Sequence, residues 1–279
     1  MGRIVFWIRL LVAGLGLLCT AVSGAEPAAP KAKAAKAVPE APRPPLRVCL
    51  VSGANDSKPY ATDTTLRDLA EYLRREDRMV CDVVVMDAAG RNFVNLERLL
   101  EADAAIFFVR CKTPDAAQLA VLRQFIASGK GFIALRSTSH AWENWPDFDI
   151  EVLGARYGRN GTGNFGDAER LIFKPHPIWE GVTNPTRIGV ALTTRRDLYR
   201  YGDLAPDLDI ILEGETKNGR MPVAWTRTRA DGARLFHVAL GYAEEVAMPG
   251  YRRMVRNALY WVTKTPLPAE KAVTKKSDD

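Results

Sequence analysis

The sequence predicts one α/β domain in which helices cover both faces of a mostly parallel sheet. Short apolar runs at 46–51, 79–86, 104–109 and 132–135 alternate along the chain with segments of helical apolar period. These runs are apolar throughout rather than at every second residue, which is typical of strands buried on both sides. Strands that alternate with helices in this way form parallel sheets, and ligands bind such sheets at the carboxyl ends of the strands.

Two helices in the first half have clear signals. In the first, apolar residues between 66 and 73 recur at i, i+3, i+4 and i+7. The second begins at Pro114 and ends before Gly129, because proline suits the first position of a helix and glycine the position just past its end. The predicted N-caps are Thr62 or Asp63 for the first helix and Thr113 for the second.

The second half has weaker signals. The segment 154–167 is rich in glycine and asparagine and predicts a long loop, and such loops inside a compact domain are often functional. Segments 221–228 and 233–239 flank a turn at 231–232, which predicts a β-hairpin. A closing helix from Pro249 carries one apolar face: Met254, Ala258, Trp261 and Val262.

Both ends of the chain are predicted to lie outside the folded domain. Residues 1–25 have the pattern of a secretory signal peptide, with arginines before an apolar run and small residues near a cleavage site. Residues 26–45, rich in proline, alanine and lysine, predict an extended linker, and residues 265–279 predict a similar tail. The domain is therefore expected at 46–264.

A cleaved signal peptide predicts export to the periplasm or the extracellular space, with no membrane span in the mature chain. The apolar run at 10–18 is shorter than the roughly 20 residues that a spanning helix needs. An uncleaved N-terminus that anchors the chain to a membrane is the alternative.

The net charge argues against nucleic acid as a partner. The chain carries +6, but the predicted signal peptide and the predicted linker each hold two of these charges, which leaves +2 for the domain. Nucleic-acid binding requires a cluster of basic residues, and the domain has no such excess.

Three cysteines remain after signal cleavage, namely Cys49, Cys81 and Cys111. All lie in or beside apolar runs, where a thiol is usually a small apolar group. Export permits a disulfide between Cys49 and Cys81 if their strands are neighbours. The odd count and the lack of metal-like spacing argue against a disulfide framework or a zinc site.

Several segments in order resemble the trehalose-utilization (ThuA-like) family: GKGFIALRSTSHAWENWPDFDIEVLGARY at 129–157, HPIWEGV at 176–182, PVAWTRT at 222–228, GARLFHVALGYAEE at 232–245 and YRRMVRNALYWV at 251–262. The resemblance covers about residues 46 to 263. It implies a flavodoxin-like sheet of the class I glutamine amidotransferase-like type. It also implies a small-molecule carbohydrate as ligand, because members are associated with disaccharide catabolism that proceeds through 3-keto sugars.

The resemblance also excludes one activity. Amidotransferases of this fold carry a cysteine nucleophile where a strand turns sharply into a helix, and Arg136 stands at or next to that position. Arginine cannot become a nucleophile, so glutamine hydrolysis by a thiolate is excluded. Cys111 at another strand end has no histidine next to it in sequence, and neither Ser137 nor Ser139 has the flanking glycines of a serine-hydrolase elbow.

The polar turn 136–140 at the tip of the fourth strand is the predicted site. Arg136 supplies a fork of donors suited to a carboxylate, a phosphate or vicinal hydroxyls, unless it forms an ion pair with Glu143 or Asp147. His140 is the candidate acid–base group, with hydrogen bonding to loop carbonyls as the alternative. His176 matches the family's HP motif and either orients its loop or reaches the site.

Further candidates for contacts to the sugar are hydroxyl groups and aromatic rings: Ser137, Thr138, Ser139, Trp145, Tyr157, Tyr199 and Tyr242. Tyr242 stands where relatives often have a histidine, which weakens any scheme that needs a second histidine there. Other aromatic residues, Trp142 and Trp225, are equally compatible with the core. His140 and His176 with acids such as Asp149 or Glu244 are candidate ligands of a metal, but the local spacing typical of metal ligands is absent, so no metal site is predicted.

The resemblance and the turn together suggest one reaction. A ketone at C3 of a sugar acidifies the proton at C2, which His140 would remove while Arg136 and the hydroxyls of 137–139 stabilise the enolate. Elimination, hydrolysis or isomerisation could follow, without cofactor or metal. The alternatives are a non-catalytic module that binds a glycan or a protein, and a scaffold unit; whether the chain forms a homo-oligomer is left open.

Overall fold

The computed structural model describes residues 44–158, 163–183 and 190–268. The predicted signal peptide and most of the predicted linker and tail lie outside these ranges, so export stays a prediction. Residues 159–162 of the predicted long loop also lie outside them.

In the described part of the chain, eight strands form one sheet: β1 (Arg47–Gly53), β2 (Val80–Val84), β3 (Ala104–Val109), β4 (Gly131–Leu135), β5 (Arg170–Phe173), β6 (Leu208–Thr216), β7 (Gly219–Thr228) and β8 (Arg234–Val238). Their order is β2-β1-β3-β4-β8-β7-β6-β5. The first five in this order run parallel, and β7, β6 and β5 each run antiparallel to the preceding strand. The sheet is therefore mostly parallel, as predicted, with an antiparallel extension on one side.

The helices are α1 (Thr62–Asp77), α2 (Ala116–Ala127), α3 (Ala243–Val246) and α4 (Pro249–Val262). Short 3-10 helices at Leu96–Glu101, Arg136–His140 and Pro177–Trp179 and a π-helical turn at Asp149–Leu153 join them. Six further short strands form small two-stranded ladders outside the main sheet in the described part of the chain. They are Arg156–Tyr157, Asn164–Asp167, Val182–Thr183, Val190–Ala191, Asp197–Tyr199 and Tyr201–Gly202. Within the described ranges, no helix has the length and apolar character needed to cross a membrane.

Helices cover both faces of the sheet and create two apolar cores. α1 and α4 pack on one face through residues such as Leu66 and Met254. α2 and the 3-10 helix after β2 pack on the other face through Leu99 and Phe125. The inner strands β1, β3 and β4 are buried on both sides, so their apolar residues run without interruption, which is the pattern seen in the sequence.

The two N-cap predictions were wrong. Thr62 and Asp63 lie inside the first turn of α1, where both contact the hydroxyl of Ser52 at the end of β1. Asp115, not Thr113, caps α2, and its side chain accepts the backbone N–H three residues further on. The side chains of Thr62 and Asp63 connect α1 to the end of β1 through Ser52, and neither of them caps the helix.

The predicted hairpin is present, whereas β5 and β6 were not predicted. Gly232 adopts a φ of 79° in the turn between β7 and β8, which glycine accepts without strain. The sequence did not predict β6 because Glu213, Gly214 and Glu215 interrupt its apolar residues. It becomes a strand through its antiparallel pairing with both β7 and β5.

The cysteine side chains of β1 and β2 lie on opposite faces of the sheet. The strands are neighbours, but Val48 rather than Cys49 is the partner of Cys81 in the ladder. Cys49 belongs to one core and Cys81 to the other, and both are free thiols. Burial raises the pKa of Cys49 to about 12 and that of Cys81 to about 11, so neither is a thiolate at neutral pH.

Gly131 allows α4 to lie directly on the first residue of β4. A Cβ atom at this position would lie 2.3 Å from the backbone oxygen of Val262. We expect Gly131→Ala to lower the free energy of unfolding by about 2–3 kcal/mol, because backbone atoms must shift to relieve the overlap. Urea unfolding measures the change. Gly202→Ala, where nothing lies within 4 Å of the added atom, is the control and should have little effect.

Candidate functional site

The candidate site lies where the carboxyl ends of β1, β3 and β4 meet. The 3-10 helix Arg136–His140 follows β4 directly, and the N–H of Cys111, just after β3, donates to the carbonyl of His140. Strands Arg156–Tyr157, Asp197–Tyr199 and Tyr201–Gly202 bring aromatic rings to the same place. This edge of a parallel sheet is the usual location of a ligand.

Five tyrosines pack around this edge and are called the tyrosine cluster: Tyr60, Tyr157, Tyr199, Tyr201 and Tyr242. The hydroxyls of Tyr60 and Tyr199 lie 2.8 Å apart. Burial raises the pKa of Tyr157 and of Tyr199, so both phenols stay protonated at neutral pH. The cluster therefore offers hydroxyl groups and ring faces without negative charge.

The backbone at the strand-to-helix turn is strained. Arg136 adopts a φ of 37°, which is rare for a residue with a side chain. Gly241 passes so close that a Cβ there would lie 2.8 Å from the Cβ of Arg136. The turn thus has the sharp geometry expected at the nucleophile position of an amidotransferase-like fold, but it carries an arginine.

The guanidinium of Arg136 is fully buried and bound to protein groups. Its Nε donates to the hydroxyl of Tyr60 over 3.1 Å, and Nη1 donates to the carbonyl of Ala239 over 2.8 Å. Nη2 lies 3.2 Å from a carboxylate oxygen of Asp197. The side chain therefore connects the turn after β4 to three distant segments and stabilises their packing around the site.

Two rings of the tyrosine cluster enclose the same guanidinium. Its central carbon lies 4.3 Å from the ring centre of Tyr199 and 4.2 Å from that of Tyr242, which suits cation–π attraction. Tyr242 also donates its hydroxyl to Asp197. Tyr242, found where relatives often have a histidine, is thus a partner of the Arg136–Asp197 pair.

The ion-pair partner of Arg136 is Asp197 and not either acid proposed from the sequence. Glu143 accepts a hydrogen bond from Thr113, and Asp147 accepts one from Arg156. Asp197 lies 61 residues after Arg136, so no local pattern could have identified it.

His140 is partly exposed and lies against the tyrosine cluster. Its ring stacks on Tyr157 with centres 4.0 Å apart and an interplanar angle of 22°. The edge of Tyr199 approaches it at 5.5 Å, and Nδ1 lies 3.2 Å from the hydroxyl oxygen of Ser139. Tyr199 contacts both His140 and Arg136, so the imidazole and the guanidinium belong to one assembly although only the imidazole is accessible.

Burial and two nearby positive charges keep His140 neutral at neutral pH. Burial chiefly, together with the positive charges of Arg110 and Arg136, lowers the pKa of His140 to about 3. At neutral pH the imidazole therefore has one nitrogen with a lone pair, which can accept a proton or a hydrogen bond.

The three hydroxyls of the turn are buried. Thr138 donates to the carbonyl of Phe107 and accepts from the N–H of Val109, so it attaches the turn to β3. Ser139 donates to the carbonyl of Arg136. The hydroxyl of Ser137 has no hydrogen-bond partner among the described residues. Of the three, Ser137 alone keeps its hydrogen-bonding capacity for another group.

Trp145 and His176 lie away from the tyrosine cluster. Trp145 packs on Phe148 in the core on the other face of the sheet, and the guanidinium of Arg123 covers its ring. His176 accepts the N–H of Ile178 and lines a cavity of about 640 Å³ beside the edge strand β5. The structure therefore does not bring these two residues to His140.

Three residues of the site were missed in the sequence. Tyr60 lies in the loop after β1, and ligands bind parallel sheets at the carboxyl ends of the strands, so its position could have been inferred. Asp197 and Tyr201 lie in the stretch with the weakest signals, and nothing local distinguishes them. Tyr201 places its hydroxyl 2.9 Å from Nε2 of His237, a histidine that is fully buried in the core.

The candidate metal ligands His140, His176, Asp149 and Glu244 do not converge. Across the described ranges, no group of three or more His, Cys, Asp or Glu side chains is placed to hold a metal ion. Asp149 accepts the N–H of Tyr157 and pairs with Arg156. Cys111 is an exposed residue beside the site, but partial burial of its thiol group raises its pKa and disfavours the thiolate.

Sheet order and turn geometry define a flavodoxin-like α/β domain of the class I glutamine amidotransferase-like type, without the nucleophile. The chain belongs to the ThuA family, described as trehalose utilisation, whose sequence model matches residues 47–262.

Solved structures share this fold. A ThuA-like protein from Bacteroides uniformis aligns with a TM-score of 0.59 at 16% identity, over 82% of this chain and 95% of that chain. Another from Parabacteroides merdae aligns with a TM-score of 0.59 at 14% identity, over 82% and 94%. No curated protein matches the sequence.

Proposed function

We propose that this chain is an exported carbohydrate-processing enzyme that acts on an oxidised, 3-keto disaccharide or glycoside, with His140 as the proton acceptor. The observation that carries the proposal is a neutral, partly exposed imidazole stacked on Tyr157 at the carboxyl ends of a parallel sheet. The family description, trehalose utilisation, supports a sugar as ligand. The mass of the mature chain tests export through signal cleavage.

The chemistry of His140 favours a keto sugar over an unoxidised one. A base with a low pKa is weak, so it removes protons only from carbon that is already acidic. A C3 ketone makes C2 such a carbon. In an elimination, the C2–H electron pair forms the C1–C2 double bond, the C1–O bond breaks, and the leaving hydroxyl takes up the proton that His140 removed.

Arg136 supports this reaction indirectly. Its guanidinium is buried beneath Tyr199 and Tyr242 and cannot reach an enolate oxygen, so the role of direct stabiliser that the sequence predicted does not fit its contacts. We assign it the role of holding the tyrosine cluster around His140. The partly exposed Tyr157, protonated at neutral pH, borders the position of a bound sugar.

A glycan-binding module without turnover is the second candidate. The engagement of Arg136 by protein groups favours it, because the site then lacks an exposed cation to stabilise an enolate. Both candidates require a sugar to bind at the tyrosine cluster, and they differ in whether the C2 proton is removed.

NMR of purified chain with a 3-keto disaccharide in D₂O tests the proposal. We expect exchange of the C2 proton and formation of product, and we expect His140→Gln to slow both at least a hundredfold, since general-base catalysis contributes about 10²–10⁴-fold. His176→Gln, a half-buried histidine outside the tyrosine cluster, should behave like wild type. Binding without C2 exchange would support the module instead.

A further inference from the structure

The hydroxyl of Ser139 lies at the junction of three groups. It is buried, donates to the carbonyl of Arg136 over 3.2 Å, and lies 3.2 Å from Nδ1 of His140. Tyr201 also forms a hydrogen bond with the Ser139 side chain. Burial raises the pKa of Tyr201, and this hydrogen bond lowers it in part. The arrangement determines which nitrogen of His140 carries a proton.

Proton counting gives the tautomer. A serine hydroxyl has one proton, and a carbonyl can only accept, so the Ser139 proton is committed to Arg136. The oxygen of Ser139 then presents only a lone pair to Nδ1 of His140. A hydrogen bond across this 3.2 Å distance requires the proton to be on Nδ1. A neutral imidazole has a single N–H, so Nε2 has the free lone pair.

The groups behind Ser139 are buried. Tyr201 lies 2.9 Å from Nε2 of His237, which is fully buried. The opposite tautomer of His140 would need the buried Ser139 hydroxyl to turn its proton away from the carbonyl of Arg136.

We infer that Ser139 is a positioning residue that holds His140 as the Nδ1–H tautomer, so that Nε2 is the atom facing the ligand as proton acceptor. The assignment of Nε2 as acceptor rests on the proposed function, whereas the tautomer does not. Ser139, predicted from the sequence to contact the sugar, acts in this view through His140.

Nitrogen-15 NMR of the histidine rings in the ligand-free chain tests the tautomer without any substrate. Protonated and unprotonated ring nitrogens have well-separated shifts, and a His140→Gln spectrum identifies the signals of His140. We expect the proton on Nδ1 in the wild type and in Ser139→Thr, and a mixture of tautomers in Ser139→Ala. A proton on Nε2 in the wild type, or an unchanged tautomer in Ser139→Ala, would overturn the inference.

Kinetics with the 3-keto disaccharide give the second readout. We expect Ser139→Ala to lower kcat about tenfold with little change in KM, and Ser139→Thr to restore it. A wild-type chain that shows the Nδ1–H tautomer but exchanges no C2 proton would refute the proposed function and leave the role of Ser139 intact. If Ser139→Ala does not fold, the tautomer of His140 in the wild type still tests the inference, because a proton on Nε2 would overturn it.

Discussion

Replacing Arg136 by methionine is expected to lower the free energy of unfolding by about 3–5 kcal/mol, because the change removes a buried guanidinium with all its hydrogen bonds and leaves the partly buried Asp197 without its cation. Methionine retains much of the length of arginine but offers no donor to Tyr60, Ala239 or Asp197. The carbonyl of Ala239 would lose a donor in the protein interior. Arg136→Lys should recover only part of the loss, since an ammonium group lacks the planar fork.

Arg196→Met is the matched control for this prediction. Arg196 also lies over the ring of Tyr242, at 4.8 Å, and pairs with Glu244, but both charged groups are about half exposed. Exposed pairs contribute about 0–1 kcal/mol, so this variant should remain close to wild type in urea unfolding. Equal losses for the two variants would show that burial of Arg136 is not what makes it important.

Mild acid should destabilise the fold before the carboxyl groups titrate. Burial is the main cause that lowers the pKa of His140 and of His237 to about 3, whereas both titrate near 6.5 in an unfolded chain. Below pH 6.5 the unfolded chain therefore binds protons that the folded chain does not, and stability falls with pH until the folded pKa is reached. Each histidine contributes roughly 1 kcal/mol per pH unit, so the expected loss between pH 6.5 and pH 5 is about 3 kcal/mol.

Urea unfolding at pH 7, 6 and 5 measures this loss. Burial also lowers the pKa of His176, which adds to the loss. His140→Gln removes one of the three contributions and should reduce the slope of stability against pH, even if its stability at pH 7 differs from wild type. A stability that stays level or rises from pH 6.5 to pH 5 would mean that one or both imidazoles are protonated in the folded chain.

Much of the sheet could be predicted because local pattern and burial agree there. The run Ala104–Val109 is apolar throughout, and it is the central strand β3 with both faces covered. β6 could not be predicted, because Glu213 and Glu215 interrupt its apolar pattern and its pairing with distant strands makes it a strand. The same long-range dependence explains why the partner of Arg136 was missed.

The residue types predict that a polar turn with His140 follows β4, and the family resemblance implies that Arg136 stands where related folds have their nucleophile. These conclusions depend on chemistry that a residue carries wherever it is. Whether Arg136 or His140 faces a ligand depends on which segments pack over the turn, and those segments lie up to about a hundred residues away. Tertiary structure encloses the guanidinium between Tyr199 and Tyr242 and leaves the imidazole partly accessible. A buried charge must have partners, and only the distant segments that pack over the turn supply them to Arg136.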